Sequence, residues 1–117
     1  MVTVYHYPNC STCRKARKWL EAEGVEHDLV NLVESPPSAA ELGRILELAE
    51  VPFKKLFNTS GVVYREGGYK DRLQSMTQDE ALASLATNGK LIKRPILLAD
   101  DFALVGFKAD AYAQRLP

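Results

Sequence analysis

The chain has 117 residues, of which 46% are hydrophobic and 26% are charged, and this composition is typical of one globular domain rather than of a disordered chain. Its fifteen basic and fifteen acidic side chains cancel, so the overall charge predicts neither direct nucleic-acid binding nor a membrane partner. Because residues 2–7 lack a basic start and no apolar stretch is long enough to span a membrane, we expect a cytoplasmic protein with a single domain over residues 1–117.

The chain begins with a predicted strand, helix and strand. Residues 2–7 are rich in β-branched and aromatic side chains and are followed by Pro8, which predicts a strand. Residues 11–23 place Cys13 on an apolar helical face, and Gly24 is suited to end that helix. Residues 26–33 predict a second strand, although polar residues interrupt it.

The middle of the chain predicts several helices. Two patterns, Ser38-x-x-Glu41 and Thr77-x-x-Glu80, are capping boxes, in which side chain and backbone satisfy each other at a helix start. The predicted helices lie at 38–51, 53–57, 69–73 and 77–87, with a polar, glycine-containing loop at 58–68.

The chain closes with a predicted hairpin and a short helix. Residues 96–99 and 103–105 are apolar runs separated by Asp100-Asp101, and residues 108–116 have helical spacing. A strand–helix–strand start and a strand–strand–helix end, with Cys-x-x-Cys at the first strand-to-helix turn, predict an α/β thioredoxin-like mixed sheet. The helices at about 38–88 form an insert between its two halves. Four aromatic residues are predicted to lie in the core: Trp19, Phe53, Phe57 and Phe107.

The two cysteines of the chain lie in Pro8-Asn9-Cys10-Ser11-Thr12-Cys13. Cys10 is predicted at a helix N-terminus, where unpaired backbone N–H groups and the helix dipole favour an anion. A thiol attacks only as the thiolate, so Cys10, the outer sulfur, is the predicted nucleophile and Cys13 the predicted resolving thiol. Asn9, Ser11 and Thr12 are the neighbours that would shape this turn.

Two other interpretations of the cysteine pair stay open at this point. The spacing could arise by chance in a packed turn without chemistry. A zinc site is the second alternative, but zinc needs four ligands and the sequence has no second Cys-x-x-Cys. His6 and His27 would have to complete such a site.

Arg94-Pro95 precedes the third predicted strand, a position where a proline costs no sheet hydrogen bond. Together with the cysteine pair it predicts a cis proline that lies against the cysteine turn. Arg94 would then face Cys10 and stabilise a thiolate or a bound oxyanion. The alternatives are a trans proline that starts a strand and an arginine that is solvated at the surface.

Several segments together resemble the ArsC/Spx family of arsenate reductase-like proteins, over nearly the whole chain. They are Tyr7-Pro8-Asn9-Cys10-Ser11-Thr12-Cys13, Ser35-Pro36-Pro37, Phe57-Asn58-Thr59-Ser60-Gly61, Leu91-Ile92-Lys93-Arg94-Pro95-Ile96 and Val105-Gly106-Phe107. The resemblance implies a thioredoxin fold with a helical insert.

The family resemblance implies three functions. Its arsenate reductases use one cysteine, matched by Cys10, and three arginines, of which Arg94 matches one while Asn58 and Phe107 stand near the other two positions. Its Spx branch carries Cys-x-x-Cys as a redox switch and binds the RNA polymerase α subunit. A third branch resembles glutathione-dependent thiol reductases, which often lack the second cysteine, here Cys13.

A thiol–disulfide oxidoreductase that uses the Cys10–Cys13 dithiol is therefore the preferred function. An Spx-like redox-sensing regulator that binds RNA polymerase is the first alternative, and an arsenate reductase is the second. We expect a monomer with no bound cofactor and no metal. Its partner would be a small thiol or a redox protein, with glutathione or thioredoxin/glutaredoxin as the electron donor.

Overall fold

The structure is a computed structural model, and it describes residues 2–116. Its strands form one mixed sheet in the order β2-β1-β3-β4. The pair β1–β2 is parallel, and the pairs β1–β3 and β3–β4 are antiparallel. The strands are β1 Val2–His6, β2 His27–Asn31, β3 Ile96–Leu98 and β4 Ala103–Val105. This is the thioredoxin-like mixed sheet that the order of the elements predicts.

The cysteine-bearing helix is α1, Ser11–Ala22, which connects the parallel strands β1 and β2. It packs on one face of the sheet, because its apolar residues share a core with alternate residues of β1. The same core includes residues of the C-terminal helix α6, Ala109–Arg115. Its buried members are Val2, Val4, Ala16, Leu20, Leu97, Ala99, Phe102, Tyr112 and Leu116.

The predicted helical insert lies between β2 and β3. It consists of α2 Ala39–Ala49, a 3₁₀ helix Phe53–Leu56, α3 Val62–Glu66, α4 Tyr69–Arg72, α5 Gln78–Thr87 and a 3₁₀ helix Gly89–Leu91. The insert packs in a second core that includes Tyr5 and Ile96 of the sheet. Since Val4 and Tyr5 alternate between the two cores, β1 is covered by helices on both faces.

Both capping-box sequences begin helices where expected, and the reciprocal pair of bonds that defines a capping box is present at Thr77. The Ser38 hydroxyl accepts a hydrogen bond from the Glu41 N–H at 3.1 Å. At the start of α5 the Thr77 hydroxyl accepts from the Glu80 N–H at 3.2 Å, and the Glu80 carboxylate accepts from the Thr77 N–H at 2.9 Å. These bonds satisfy N–H groups that have no partner inside the helix.

The prediction of a loop over residues 58–68 is wrong, because this segment contains α3. Its β-branched residues have low helix propensity, and tertiary packing outweighs that preference. Tyr64 stacks on Tyr69 with ring centres 6.2 Å apart, and it meets Phe57 edge-on at 6.4 Å. The insert thus holds α3 in place through a small aromatic cluster.

Other predicted boundaries need smaller corrections. The second strand is shorter than 26–33, since only His27–Asn31 pairs with β1. The helical turn at 53–57 is a 3₁₀ helix. Among the aromatic residues assigned to the core, Phe57 is fully buried in the core of the insert, and Phe53 is partly buried against that core. Trp19 and Phe107 are partly buried against the core that contains α1 and α6. Within residues 2–116, no helix has the length and apolar character needed to span a membrane.

Candidate active site at the cysteine turn

Cys10 is the N-cap residue of α1, at the end of the turn that follows β1. Its backbone is extended, with φ −100° and ψ 117°. Its Sγ accepts a hydrogen bond from the Cys13 N–H at 3.3 Å, and its carbonyl accepts from the Arg14 N–H at 3.1 Å. The sulfur therefore occupies the position in which serine or aspartate oxygens usually cap a helix.

The surroundings of Cys10 favour its thiolate. Partial burial acts to raise the pKa of Cys10, whereas hydrogen bonds from the Cys13 thiol and N–H act to lower it. The positive charge of Arg94 lowers the pKa further, and the net result lies below the usual value for a cysteine. Of the two sulfurs, Cys10 is the one whose surroundings favour the thiolate, which is the reactive form.

Cys13 has the opposite character. It is fully buried in the first turn of α1, and this burial, followed by its hydrogen bond to Cys10, raises the pKa of Cys13 well above the usual range. Both cysteines are free thiols in the structure. The turn thus holds one partly buried sulfur whose surroundings favour the thiolate beside one fully buried sulfur whose surroundings favour the thiol, as expected for an attacking and a resolving thiol.

Arg94 lies across the cysteine turn, at the start of the third strand. The Arg94–Pro95 peptide bond is cis, as predicted. The Arg94 guanidinium carbon lies 5.1 Å from the centre of the Tyr7 ring, and its Nη1 donates to the Lys90 carbonyl at 3.4 Å. These contacts hold the charge beside the turn, where it acts to lower the pKa of Cys10 and opposes the larger effects that raise the pKa of Cys13.

The other predicted site residues surround this centre. Pro95 is buried, and its carbonyl accepts from the Gly106 N–H at 2.7 Å, which ties the site to the end of β4. Asn9 and Ser11 are exposed on either side of Cys10. Thr12 is partly buried and lines a neighbouring cavity.

Two cavities flank the cysteine turn. One, of about 480 Å³, includes Tyr7, Asn58 and Arg94 in its lining. The other, of about 350 Å³, is lined in part by Thr12 and Phe107. Asn58 and Phe107, which the family resemblance places near two of the arginine positions of arsenate reductases, line different cavities, and neither offers a charged donor. A larger cavity of about 570 Å³ lies along α2 and includes no residue of the turn in its lining.

Three side chains near the turn have surroundings that sequence reasoning did not predict. Arg14 Nη1 donates to the Pro8 carbonyl at 2.9 Å, so it braces the turn from outside. His6 is buried on the α1 side of β1, and its Nδ1 has no hydrogen-bond partner in the described residues. Burial, followed by the nearby charge of Arg17, lowers the pKa of His6 and so favours the neutral ring.

Tyr112 is the third of these side chains. It is buried in α6, and its hydroxyl donates to the Gly106 carbonyl at 3.3 Å. Burial, followed by the proximity of Cys13, raises the pKa of Tyr112. Val2, Val4 and His6 alternate along β1 and so share one face of the strand, which is a sequence signal that His6 is buried. The sequence contains no signal that Tyr112 lies near Cys13.

Within residues 2–116, no group of three or more histidine, cysteine, aspartate or glutamate side chains is arranged so that it could hold a metal ion.

Comparison with known proteins agrees with this geometry. The model of the ArsC family matches residues 5–115. The protein YusI of Bacillus subtilis, itself uncharacterised, is 46% identical over 114 residues and 97% of both chains. The global transcriptional regulator Spx of Listeria innocua is 29% identical over all of this chain and 88% of its own. The crystal structure of an ArsC family related protein from Bacteroides fragilis has a TM-score of 0.94 and 44% identity, covering 97% of this chain and 95% of that one.

Proposed function

Since this chain belongs to the ArsC family, we propose that it is a thiol–disulfide oxidoreductase whose redox centre is the Cys10–Cys13 pair. The observation that carries the proposal is the contact at the start of α1. There, the Cys13 N–H donates to the Cys10 sulfur at 3.3 Å, and the pKa of Cys10 lies below its usual value while that of Cys13 lies above it. This difference gives the two sulfurs separate roles.

The proposed reaction has two exchange steps. The Cys10 thiolate attacks one sulfur of a substrate disulfide, forms a mixed disulfide and releases the first substrate thiolate. Cys13 then loses its proton and attacks the Cys10 sulfur, which forms the Cys10–Cys13 disulfide and releases the second substrate thiolate. The substrate disulfide gains two electrons, and the protein dithiol loses them.

The residues around the pair would assist these steps. Arg94 and the N-terminus of α1 stabilise the attacking thiolate and again stabilise Cys10 when it is the leaving group. Glutathione or thioredoxin/glutaredoxin would return the disulfide to the dithiol. The cytoplasmic location expected from the sequence belongs to the same proposal, because a reducing compartment keeps such a pair in its dithiol form.

A single-turnover experiment tests the assignment of the two sulfurs. Reduced protein is mixed with the chromogenic disulfide DTNB, and thiol release and protein mass are followed. Wild type should release both thiols and end with an internal disulfide. Cys13→Ser should release one thiol and keep the other as a mixed disulfide, while Cys10→Ser should react far more slowly. A mixed disulfide on Cys13 in the wild type would contradict the proposal.

A redox-sensing regulator is the second candidate, favoured by similarity to Spx over the whole chain together with the cysteine pair. On this hypothesis the protein binds the RNA polymerase α subunit in one redox state. Purified α subunit and immobilised protein, reduced or oxidised, provide the test. Binding in neither state would eliminate this function, and equal binding in both would eliminate redox control.

Arsenate reduction is the third candidate, supported by the family and by Cys10 and Arg94. Asn58 and Phe107 replace the guanidinium groups that would hold a tetrahedral oxyanion from several sides. We therefore expect no arsenate-dependent oxidation of glutathione/glutaredoxin or of thioredoxin by this protein. Turnover with either donor would restore arsenate as a substrate.

A further inference from the structure

Five lysines line three adjoining cavities beside the cysteine turn, and we refer to them as the lysine band. They are Lys54, Lys55, Lys70, Lys93 and Lys108. All five side chains are exposed. The residues that line these cavities include no aspartate or glutamate, so the band presents positive charge that its own walls do not neutralise.

The lysine band is continuous with the candidate active site. Thr12, in the first turn of α1, and Lys93 line the cavity of about 350 Å³. Lys93 also lines the next cavity, of about 370 Å³, together with Lys55. Lys55 in turn lines a third cavity, of about 410 Å³, with Lys70. The band therefore runs without a break from the cysteine turn to α4.

Acidic side chains line the next cavity along the surface instead. Glu47 and Glu50 line the cavity along α2, and Lys54 marks the boundary, because it lines that cavity as well as the band. Since the whole chain has a formal net charge of zero, the band results from segregation of charge on the surface. Segregated charge of this kind steers a partner of opposite sign and fixes its orientation.

We propose that the lysine band docks an acidic protein segment and delivers its disulfide to Cys10. The inference rests on the proposed function and adds the class of substrate. A protein partner fits better than a nucleic acid, because the band leads to a nucleophilic sulfur and a nucleic acid contains no disulfide for it to attack. Chemistry at the docked disulfide is the two-step exchange described above, with two electrons passing from the protein dithiol to the segment.

The test uses three synthetic peptide disulfides of equal length with acidic, neutral or basic flanks. Single-turnover exchange with reduced protein is measured at low and high salt. We expect the acidic peptide to react about tenfold faster than the neutral one at low salt, and this advantage to disappear at high salt because salt screens exposed charges. The neutral peptide reports the intrinsic reactivity of Cys10.

A matched pair of variants separates the band from net charge. Lys55→Glu lies in the band, whereas Lys18→Glu makes the same charge change at an exposed position of α1. We expect Lys55→Glu to slow the acidic peptide about fivefold, to accelerate the basic peptide and to leave the neutral one unchanged. Lys18→Glu should leave all three rates close to those of the wild type.

The outcomes distinguish the failure of this inference from failure of the proposed function. Exchange with all three peptides at one rate, or equal effects of Lys55→Glu and Lys18→Glu, would overturn docking at the band while leaving the dithiol chemistry intact. Stronger inhibition of acidic-peptide exchange by a single-stranded DNA oligonucleotide than by a cysteine-free acidic peptide of equal charge would assign the band to nucleic acid and also overturn it. Absence of exchange with any peptide would refute both.

Discussion

Replacing Cys10 should change the stability of the protein as well as its reactivity, because its sulfur caps α1. The Cys10 Sγ is 3.3 Å from the Cys13 N–H, which has no partner inside the helix. In Cys10→Ala this N–H loses its acceptor, and the loss of a helix cap costs about 1 kcal/mol. For a domain of this size we expect the melting temperature to fall by about 3–5 °C relative to Cys10→Ser, whose hydroxyl keeps the cap.

The comparison of alanine with serine isolates the cap, because both variants lack the reactive thiol. Thermal unfolding at neutral pH, followed by circular dichroism with a reductant present, provides the measurement. Cys10→Asp, which carries a fixed negative charge at the N-terminus of α1, should be at least as stable as Cys10→Ser. Equal melting temperatures for the alanine and serine variants would refute the assignment of Cys10 as the cap.

The contribution of the thiolate itself should depend on pH. The pKa of Cys10 is lowered on folding, so the ionised sulfur stabilises the native state fully above the pKa of the unfolded thiol. This stabilisation is lost as the pH falls through the lower, folded-state value. We therefore expect wild type to gain stability over Cys10→Ser with rising pH. A difference in stability between wild type and Cys10→Ser that stays constant up to the pKa of the unfolded thiol would contradict a lowered pKa of Cys10.

Three further predictions concern the residues around the pair. Arg94→Gln should raise the pKa of Cys10 and slow the alkylation of Cys10 at neutral pH about tenfold. Arg94→Lys keeps the positive charge and should retain most of the wild-type rate. Equal alkylation rates for the two variants would contradict an effect of this charge on Cys10. The pKa of His6 is lowered by burial and then by Arg17, so its neutral ring contributes stability that is present above the unfolded value and lost as the pH falls through the folded one. In His6→Gln, the free energy of unfolding, measured with urea, should depend less on pH below the pKa of an unfolded histidine. The same pH dependence in variant and wild type would contradict this. Tyr112→Phe loses a hydrogen bond of 3.3 Å to a backbone carbonyl and should lower the free energy of unfolding by about 1 kcal/mol, whereas an unchanged value would show that the bond adds nothing.

The sequence predicted the sheet and most helices because their signals are local. Capping boxes at Ser38 and Thr77 and the proline after β1 each determine structure within a few residues. The helix α3 could not be found in this way. Its formation depends on stacking of Tyr64 against Tyr69, a contact that belongs to the packed insert and not to the segment's own propensity.

Part of the candidate site can also be predicted from the sequence, because the signals for that part are local. Cys10 and Cys13 share one short motif, and the cis bond before Pro95 was inferred from the expected position of that proline in the fold. The surroundings of His6 and Tyr112 depend on burial and on approach across the sheet core. A single sequence contains no signal for contacts that join β1, α1 and α6 in three dimensions.

The ionisation of Cys10 in the reduced protein is the most direct test of the central claim that α1 and its surroundings activate this sulfur. The rate of alkylation at Cys10 is measured against pH by mass spectrometry, with Cys13→Ser as a second sample. We predict a Cys10 pKa below the value of about 8.5 for a free cysteine, and no reaction of Cys13 until strongly alkaline pH. A Cys10 pKa at or above the free value, or faster alkylation of Cys13, would contradict the proposed roles of both sulfurs.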